Sequence, residues 1–193
     1  FVGGWAPGLK VNRFPQGTGI KILQDRKMIM QIHYNLEQFS TGTAPPDRTK
    51  MALKTIPVGT PGSIEAHVVP VFNDSFQLPR GMPNQQVEAT LISPTPATIY
   101  SMFPHMHTLG TKLKVSVARA PITNETPEEC LLDVPHWDFS WQQFLNYASP
   151  VTIKTGDRLK VTCTFDTTSL SPEENPIVWG PGTSDEKCLN FFY

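Results

Sequence analysis

Hydrophobic and polar residues alternate along most of the chain, and this two-residue period predicts β-strands. In residues 27–36, for example, Met28, Met30 and Ile32 would project from one face of a strand and Gln31 from the other. The alternation predicts strands at 27–36, 63–72, 84–93, 97–107, 111–120, 134–142, 157–166 and 187–193. Stripes at helical spacing are almost absent, so we expect an all-β protein.

Turn-rich segments separate the predicted strands, chiefly at 40–49, 78–84, 120–129 and 169–176. The chain has 19 prolines among 193 residues, about twice the usual share of roughly 5%, and they are scattered rather than clustered. Short strands joined by such loops favour an antiparallel sandwich or jelly roll over alternating βαβ units. The segment at 40–49 is the best candidate for a domain boundary.

The charge balance limits the partners that the chain can have. Sixteen Lys and Arg stand against 17 Asp and Glu, for a net charge of −1, without a basic cluster that would neutralise phosphates. We therefore expect no nucleic-acid partner. No apolar run approaches the roughly 18 residues of a membrane span, and the first ten residues lack the features of a signal peptide. We expect a soluble chain whose export signal, if any, was removed or lies upstream.

The segment "SMFPHMHTLG" at 101–110 contains two of the five histidines. In a strand, His105 and His107 would project from the same face, roughly 6.5 to 7 Å apart, while Met106 projects from the other. Two imidazoles suit copper, zinc or iron without choosing among them. The alternative interpretation is a pair of ordinary strand histidines at a surface or a packed edge.

The stretch "PHMHTLG" resembles the HxHxxG segment of the type II copper, ascorbate-dependent monooxygenases, the family of dopamine β-monooxygenase and peptidylglycine α-hydroxylating monooxygenase. Further segments follow in the family's order, and together they look most like its bacterial branch. They are "GGWAPG" (3–8), "MQIHYNL" (30–36), "LLDVPHWDFSWQ" (131–142), "GDRLKVTCTFD" (156–166) and "WGPGTSDEKCLNFFY" (179–193).

This resemblance implies two jelly-roll domains with one copper each. His105 and His107 would hold the oxygen-binding copper, and His33 would be the third histidine of the electron-transfer copper, with Gln31 beside it. Residues 1–50 would be the last strands of an incomplete N-terminal jelly roll, and 51–193 the C-terminal domain. The rest of the first domain would come from a longer chain or from a partner. The implied activity hydroxylates a C–H bond of a small substrate with O₂ and ascorbate or another electron donor.

The chain departs from the family pattern at Lys187, which replaces the methionine ligand in a "DEMC" segment. A thioether is a soft, neutral ligand, whereas a protonated ammonium cannot coordinate and repels the ion. Copper binding should therefore be weakened, and a non-catalytic binding or structural module with a vestigial copper site is the alternative. Phe103 and Phe191 replace an arginine and a tyrosine of the peptide-amidating members, which favours a small apolar or aromatic substrate unless both are core residues.

The resemblance also pairs Cys163 with Cys188 as a disulfide and leaves Cys130 unpaired. Such a bond would place the protein in an oxidising compartment, secreted or periplasmic. It would also tether the segment of Lys187 beside the histidine strand. The remaining histidines, His67 and His136, are expected to have structural roles.

Overall fold

The computed structural model describes residues 2–34, 36 and 42–193, and these ranges contain strands without helices. The strands are β1 Thr18–Ile20, β2 Ile64–Ala66, β3 Val69–Asn73, β4 Gln77–Leu78, β5 Gln85–Ile92, β6 Ala97–His105, β7 Gly110–Ala118, β8 Glu128–Val134, β9 Leu145–Ile153, β10 Arg158–Phe165, β11 Ile177–Val178 and β12 Cys188–Phe192. Within the described part of the chain, no helix has the length and apolar character needed to cross a membrane.

Two four-stranded antiparallel sheets form the body of the molecule, one ordered β5-β10-β7-β8 and the other β3-β12-β6-β9. When these eight strands are numbered along the chain, the sheets have the orders 2-7-4-5 and 1-8-3-6. That order is the connectivity of a jelly roll. The structure therefore confirms the expected all-β antiparallel sandwich.

The core lies between the two sheets and consists of the inward-facing residues of each strand. On β7 and β10, Leu113, Val115, Val117 and Val161 are fully buried, as the alternating pattern requires. Met106, just after β6, is also fully buried and belongs to the same cluster. The expectation that Met106 projects away from the two histidines is confirmed.

A disulfide joins the two sheets through this core. Cys163 on β10 and Cys188 on β12 are bonded, with Cα atoms 5.7 Å apart, and both are fully buried. Cys130 on β8 is exposed and has no disulfide partner. The expected pairing is confirmed, and it ties the start of β12 to the centre of the opposite sheet.

The prediction of a strand at 27–36 is wrong for residues 27–34 and 36, which form no strand. Asn35 and residues 37–41 lie outside the described residues. The alternating apolar side chains of residues 27–34 and 36 are exposed, with Ile29 at 87%. A strand needs a neighbour to accept and donate its backbone hydrogen bonds, and in the described ranges none pairs with this segment. Ahead of it, β1 pairs in parallel with β2.

The prediction of a strand at 134–142 is also wrong, because turns occupy this segment. Asp138 accepts hydrogen bonds from the backbone of Ser140 and Trp141, and such local acceptors favour turns over strands. The strands lie on either side of it, as β8, which ends at Val134, and β9, which begins at Leu145, and the sequence analysis found neither. Pro150 interrupts the pattern of β9 but is tolerated because β9 lies at the edge of its sheet.

We predict that the Cys163→Ala and Cys188→Ala double variant loses about 3 kcal/mol of unfolding free energy, because the bond closes a loop of 25 residues. Denaturant unfolding followed by circular dichroism measures this loss. Cys130→Ala is the matched control and should leave the unfolding free energy unchanged. An equally stable double variant would show that core packing alone holds the sheets together.

Candidate metal centre

His105 is the last residue of β6, and His107 lies two residues beyond it. Their ring centroids are 5.3 Å apart and the ring planes are nearly perpendicular, at 81°. With metal–nitrogen bonds of about 2 Å, two imidazoles on one ion have centroids about 5 to 6 Å apart. The pair therefore has the spacing of two ligands that share an ion.

Each imidazole is held by its Nδ1 atom. Nδ1 of His105 lies 2.7 Å from Oε1 of Gln142, and Nδ1 of His107 lies 2.9 Å from the backbone oxygen of Asp185. Both partners are acceptors, since the amide nitrogen of Gln142 already donates to the oxygen of Phe139. Each neutral ring must then carry its proton on Nδ1. This leaves the Nε2 lone pair of both rings for a metal.

The surroundings keep both rings neutral. Burial lowers the pKa of His105 to about 4 and also lowers the pKa of His107, and the nearby charge of Lys187 acts in the same direction. Metal binding requires a neutral imidazole. At neutral pH, the two imidazoles would therefore not have to lose a proton before they could bind a metal ion.

The glycine of the HxHxxG segment is explained by the packing of Met106. A Cβ atom on Gly110 would lie 2.8 Å from Cε and 3.0 Å from both Cβ and Sδ of Met106. Glycine thus leaves room for the methionine that anchors the loop in the core. Because Met106 points into the core, the histidines on either side of it point away from the core.

Gln142, which orients His105, is fully buried, and its own segment is held by the N-terminus. Its backbone N–H donates to the oxygen of Pro7 at 3.1 Å. Gly8 has φ +83°, and a Cβ there would lie 2.2 Å from the oxygen of Ser140. These contacts give a physical role to "GGWAPG": it allows the N-terminal segment to lie directly against the loop that carries Gln142.

Glu186 joins the histidine loop to the segment before β12. It is fully buried, and its carboxylate accepts hydrogen bonds from the backbone N–H groups of His107 at 2.9 Å and Leu109 at 2.6 Å. Burial raises its pKa to about 7, although these N–H groups oppose the rise. The sequence analysis did not find this role, because a glutamate is expected at the surface unless the backbone N–H groups that surround it are known.

Lys187 follows Glu186, and its ammonium lies 5.5 Å from the centre of the Trp179 ring. Burial lowers its pKa, which Asp185 partly offsets. The Asp185 carboxylate is directed elsewhere, to the backbone N–H of Gly182 at 2.9 Å. No acidic side chain of the described residues lies within ion-pair distance of the Lys187 ammonium.

His33 and Gln31 lie together in the exposed segment that precedes the sandwich, with their Nε2 atoms 2.8 Å apart. Among the described residues, no three His, Cys, Asp or Glu side chains form a group that could hold a metal. The structure thus brings His105 and His107 together with Lys187. Of the predicted site residues that the structure describes, only Gln31 contacts His33.

Aromatic side chains cover the sheet face on which His105 lies. The Phe103 ring is stacked 4.7 Å from Phe144 and lies 6.2 Å from Phe191, and Ala6 and Leu9 pack over this group. Beside it is an open apolar hollow. The hollow is lined by Pro70, Phe72, Trp179, Leu189 and Phe191.

A jelly roll with paired, neutral imidazoles at the end of an inner strand defines a class of candidate metal-dependent β-sandwich domains. Comparison with known proteins narrows it: the family model of the copper type II ascorbate-dependent monooxygenase C-terminal domain matches residues 60–193. The chain belongs to this family. It is also 25% identical over 208 aligned positions to tyramine beta-hydroxylase of Caenorhabditis briggsae, an alignment that covers 100% of the chain and 33% of that relative. The chain therefore spans about a third of the relative's length.

We predict that Glu186→Gln destabilises the fold by about 2 kcal/mol. The amide NH₂ group would face a backbone N–H whose hydrogen bond the carboxylate now accepts. Denaturant unfolding measures the loss, and the amide resonances of His107 and Leu109 should shift. Glu173→Gln, at an exposed loop position, is the control. If Glu186→Gln were as stable as Glu173→Gln, the carboxylate would not be what holds the histidine loop.

Proposed function

We propose that the chain is the C-terminal, oxygen- and substrate-binding part of a copper-dependent monooxygenase that hydroxylates a C–H bond of a small substrate. O₂ and ascorbate or another electron donor would be the co-substrates. The observation that carries this proposal is the pair of neutral imidazoles, His105 and His107, each with Nδ1 anchored and Nε2 left as the donor atom. Membership of the copper monooxygenase family supports it.

The donor chemistry of the pair fits copper, because imidazole nitrogen is among the ligands that copper prefers. His105 and His107 would hold the ion through Nε2. When bound, copper supplies the one-electron and oxygen chemistry that protein side chains cannot. The chain's own contribution is orientation: Gln142 and the Asp185 backbone fix the two rings, and Glu186 fixes the loop between them.

Lys187 would occupy the place of the third ligand. Its ammonium is a cation near both imidazoles and lowers their pKa, so it also disfavours a bound copper ion. Binding by two imidazoles alone should be weaker than binding by two imidazoles and a thioether. Copper retention, and with it catalysis, would depend on how far the charge of Lys187 is offset.

The substrate would be small and apolar or aromatic. The apolar hollow is lined by Pro70, Phe72, Trp179, Leu189 and Phe191, and Leu189 is the strand partner of His105. Apolar walls are typical of small-molecule sites. Phe103 stands where amidating relatives carry an arginine, so a glycine-extended peptide would lack a partner for its carboxylate there. Phe103 is packed among other aromatic rings, which accounts for its burial.

The remaining parts of the reaction require polypeptide beyond this chain. His33, with Gln31 beside it, would contribute to an electron-transfer copper whose other histidines come from an N-terminal domain or a partner chain. The buried disulfide fits an oxidising compartment, and we propose a secreted or periplasmic location.

The second candidate is a binding module that keeps the jelly roll but has lost redox chemistry. The specific observation in its favour is Lys187, which needs no special explanation if copper is no longer bound. The copper titration below separates the two candidates.

We predict that the protein binds one Cu(I) at His105 and His107, and that Lys187→Met binds it at least about tenfold more tightly, because a soft thioether replaces a repelling charge. Competition against a Cu(I) chelator measures both affinities. X-ray absorption should show a sulfur neighbour in the methionine variant only.

His107→Ala should abolish this binding, whereas His67→Ala, at an exposed position far along the sequence from the pair, should leave it intact. Absence of Cu(I) binding by the unmodified protein, with recovery in Lys187→Met, would establish the non-catalytic module. Absence in both proteins would remove the copper proposal altogether.

A further inference from the structure

We propose that the hollow lined by Phe72, Trp179 and Leu189, on the sheet face of His105, binds a small molecule with an apolar or aromatic body and a carboxylate, and that Lys187 pairs with the carboxylate. This rests on the proposed function in treating the bound molecule as the substrate of that same site. The binding itself involves only side chains of this chain.

The ammonium of Lys187 is a partly buried cation without a paired anion among the described residues. The two acidic residues before it cannot easily supply one. The Asp185 carboxylate accepts a hydrogen bond from the backbone N–H of Gly182. It also packs against Gly180, where an added Cβ would lie 2.1 Å from Asp185 Oδ2. Glu186 is occupied by the backbone N–H groups of the histidine loop. A charge left unpaired in this way favours an anionic ligand.

The apolar lining lies on the same sheet face as the histidine. In the strand register, Leu189 is opposite His105 on one side and Phe72 on the other, so the three residues form one row across the sheet. Residues 187 and 189 alternate with buried Cys188, which places Lys187 on the face of Leu189. A ligand lying along Phe72 and Leu189 would thus have His105 at one side.

Trp179 fixes the position of the cation relative to the hollow. Its ring lines the hollow and also lies 5.5 Å from the Lys187 ammonium. The cation–π contact places the ammonium next to one residue of the hollow, and such a contact does not use the hydrogen-bond donors of the ammonium. An aromatic body against Phe72 and Leu189, with a carboxylate on Lys187, satisfies both parts of the site.

The chemistry also says which ligands the site disfavours. An amine-bearing ligand of the same shape would bring a second cation next to Lys187, and like charges repel. A neutral amide would fill the hollow but would not neutralise the ammonium. The inferred order of affinity is carboxylate first, amide second and amine last.

The test uses the copper-free protein and three probes that share a benzyl group: phenylacetate, phenylacetamide and benzylamine. Isothermal titration calorimetry at low salt should give an affinity for phenylacetate about tenfold higher than for phenylacetamide, as expected for one charge-assisted hydrogen bond. Benzylamine should bind most weakly. Lys187→Met should remove the preference for phenylacetate over phenylacetamide, and Lys187→Arg should keep it.

Lys114→Met is the matched control, because Lys114 is exposed on β7 of the opposite sheet. This variant should behave as the unmodified protein. Equal affinity for phenylacetate and phenylacetamide, tighter binding of benzylamine, no binding of any probe, or a preference that survives Lys187→Met would each overturn the proposal. Because copper is absent from these titrations, their result is independent of the Cu(I) titration, and either proposal can fail while the other stands.

Discussion

The buried carboxylate of Glu186 is the interaction on which the site depends. It accepts backbone hydrogen bonds from His107 and Leu109, and it thereby joins the loop that follows β6 to the segment that precedes β12. A buried carboxylate is costly unless its lone pairs are used, and here several backbone donors converge on it. The imidazole pair, the Asp185 oxygen that orients one ring, and Lys187 keep their relative positions through this one group. The Cys163–Cys188 disulfide reinforces the same junction from the side of the core.

The alternation of side chains in β6 and β12 separates the two tasks of this sheet. On the inner face, Met106, Cys188 and Phe192 are buried in the sandwich core. On the outer face, His105 and Leu189 lie in register and form the floor of the candidate site. A substitution on the outer face can therefore change the site's chemistry with little effect on the core, which explains how a lysine can stand at position 187 of an otherwise intact jelly roll.

The sequence predicted the sandwich well, because period-two alternation reports directly on strands with one buried face. It failed at residues 27–36, where the same alternation occurs with no neighbouring strand among the described residues. It also missed β8, which begins at the end of a turn-rich segment, and β9, where Pro150 interrupts the pattern of an edge strand. Local spacing and family resemblance singled out His105, His107 and Lys187, and their role in metal binding stays a prediction. Gln142 and Glu186 were not singled out, since each acquires its role from a partner far along the chain that only the folded backbone brings near.

Lys187 links the two proposals through charge. A copper ion and an ammonium near the same two imidazoles repel each other, and the repulsion is strong in a partly buried site where water screens poorly. A carboxylate that pairs with Lys187 removes most of this repulsion, so the ligand and the metal should each favour the binding of the other. Such coupling is reciprocal. A lysine at this position would thus add to the dependence of copper affinity on the carboxylate ligand, whereas a methionine would leave only the direct attraction between the carboxylate and the metal.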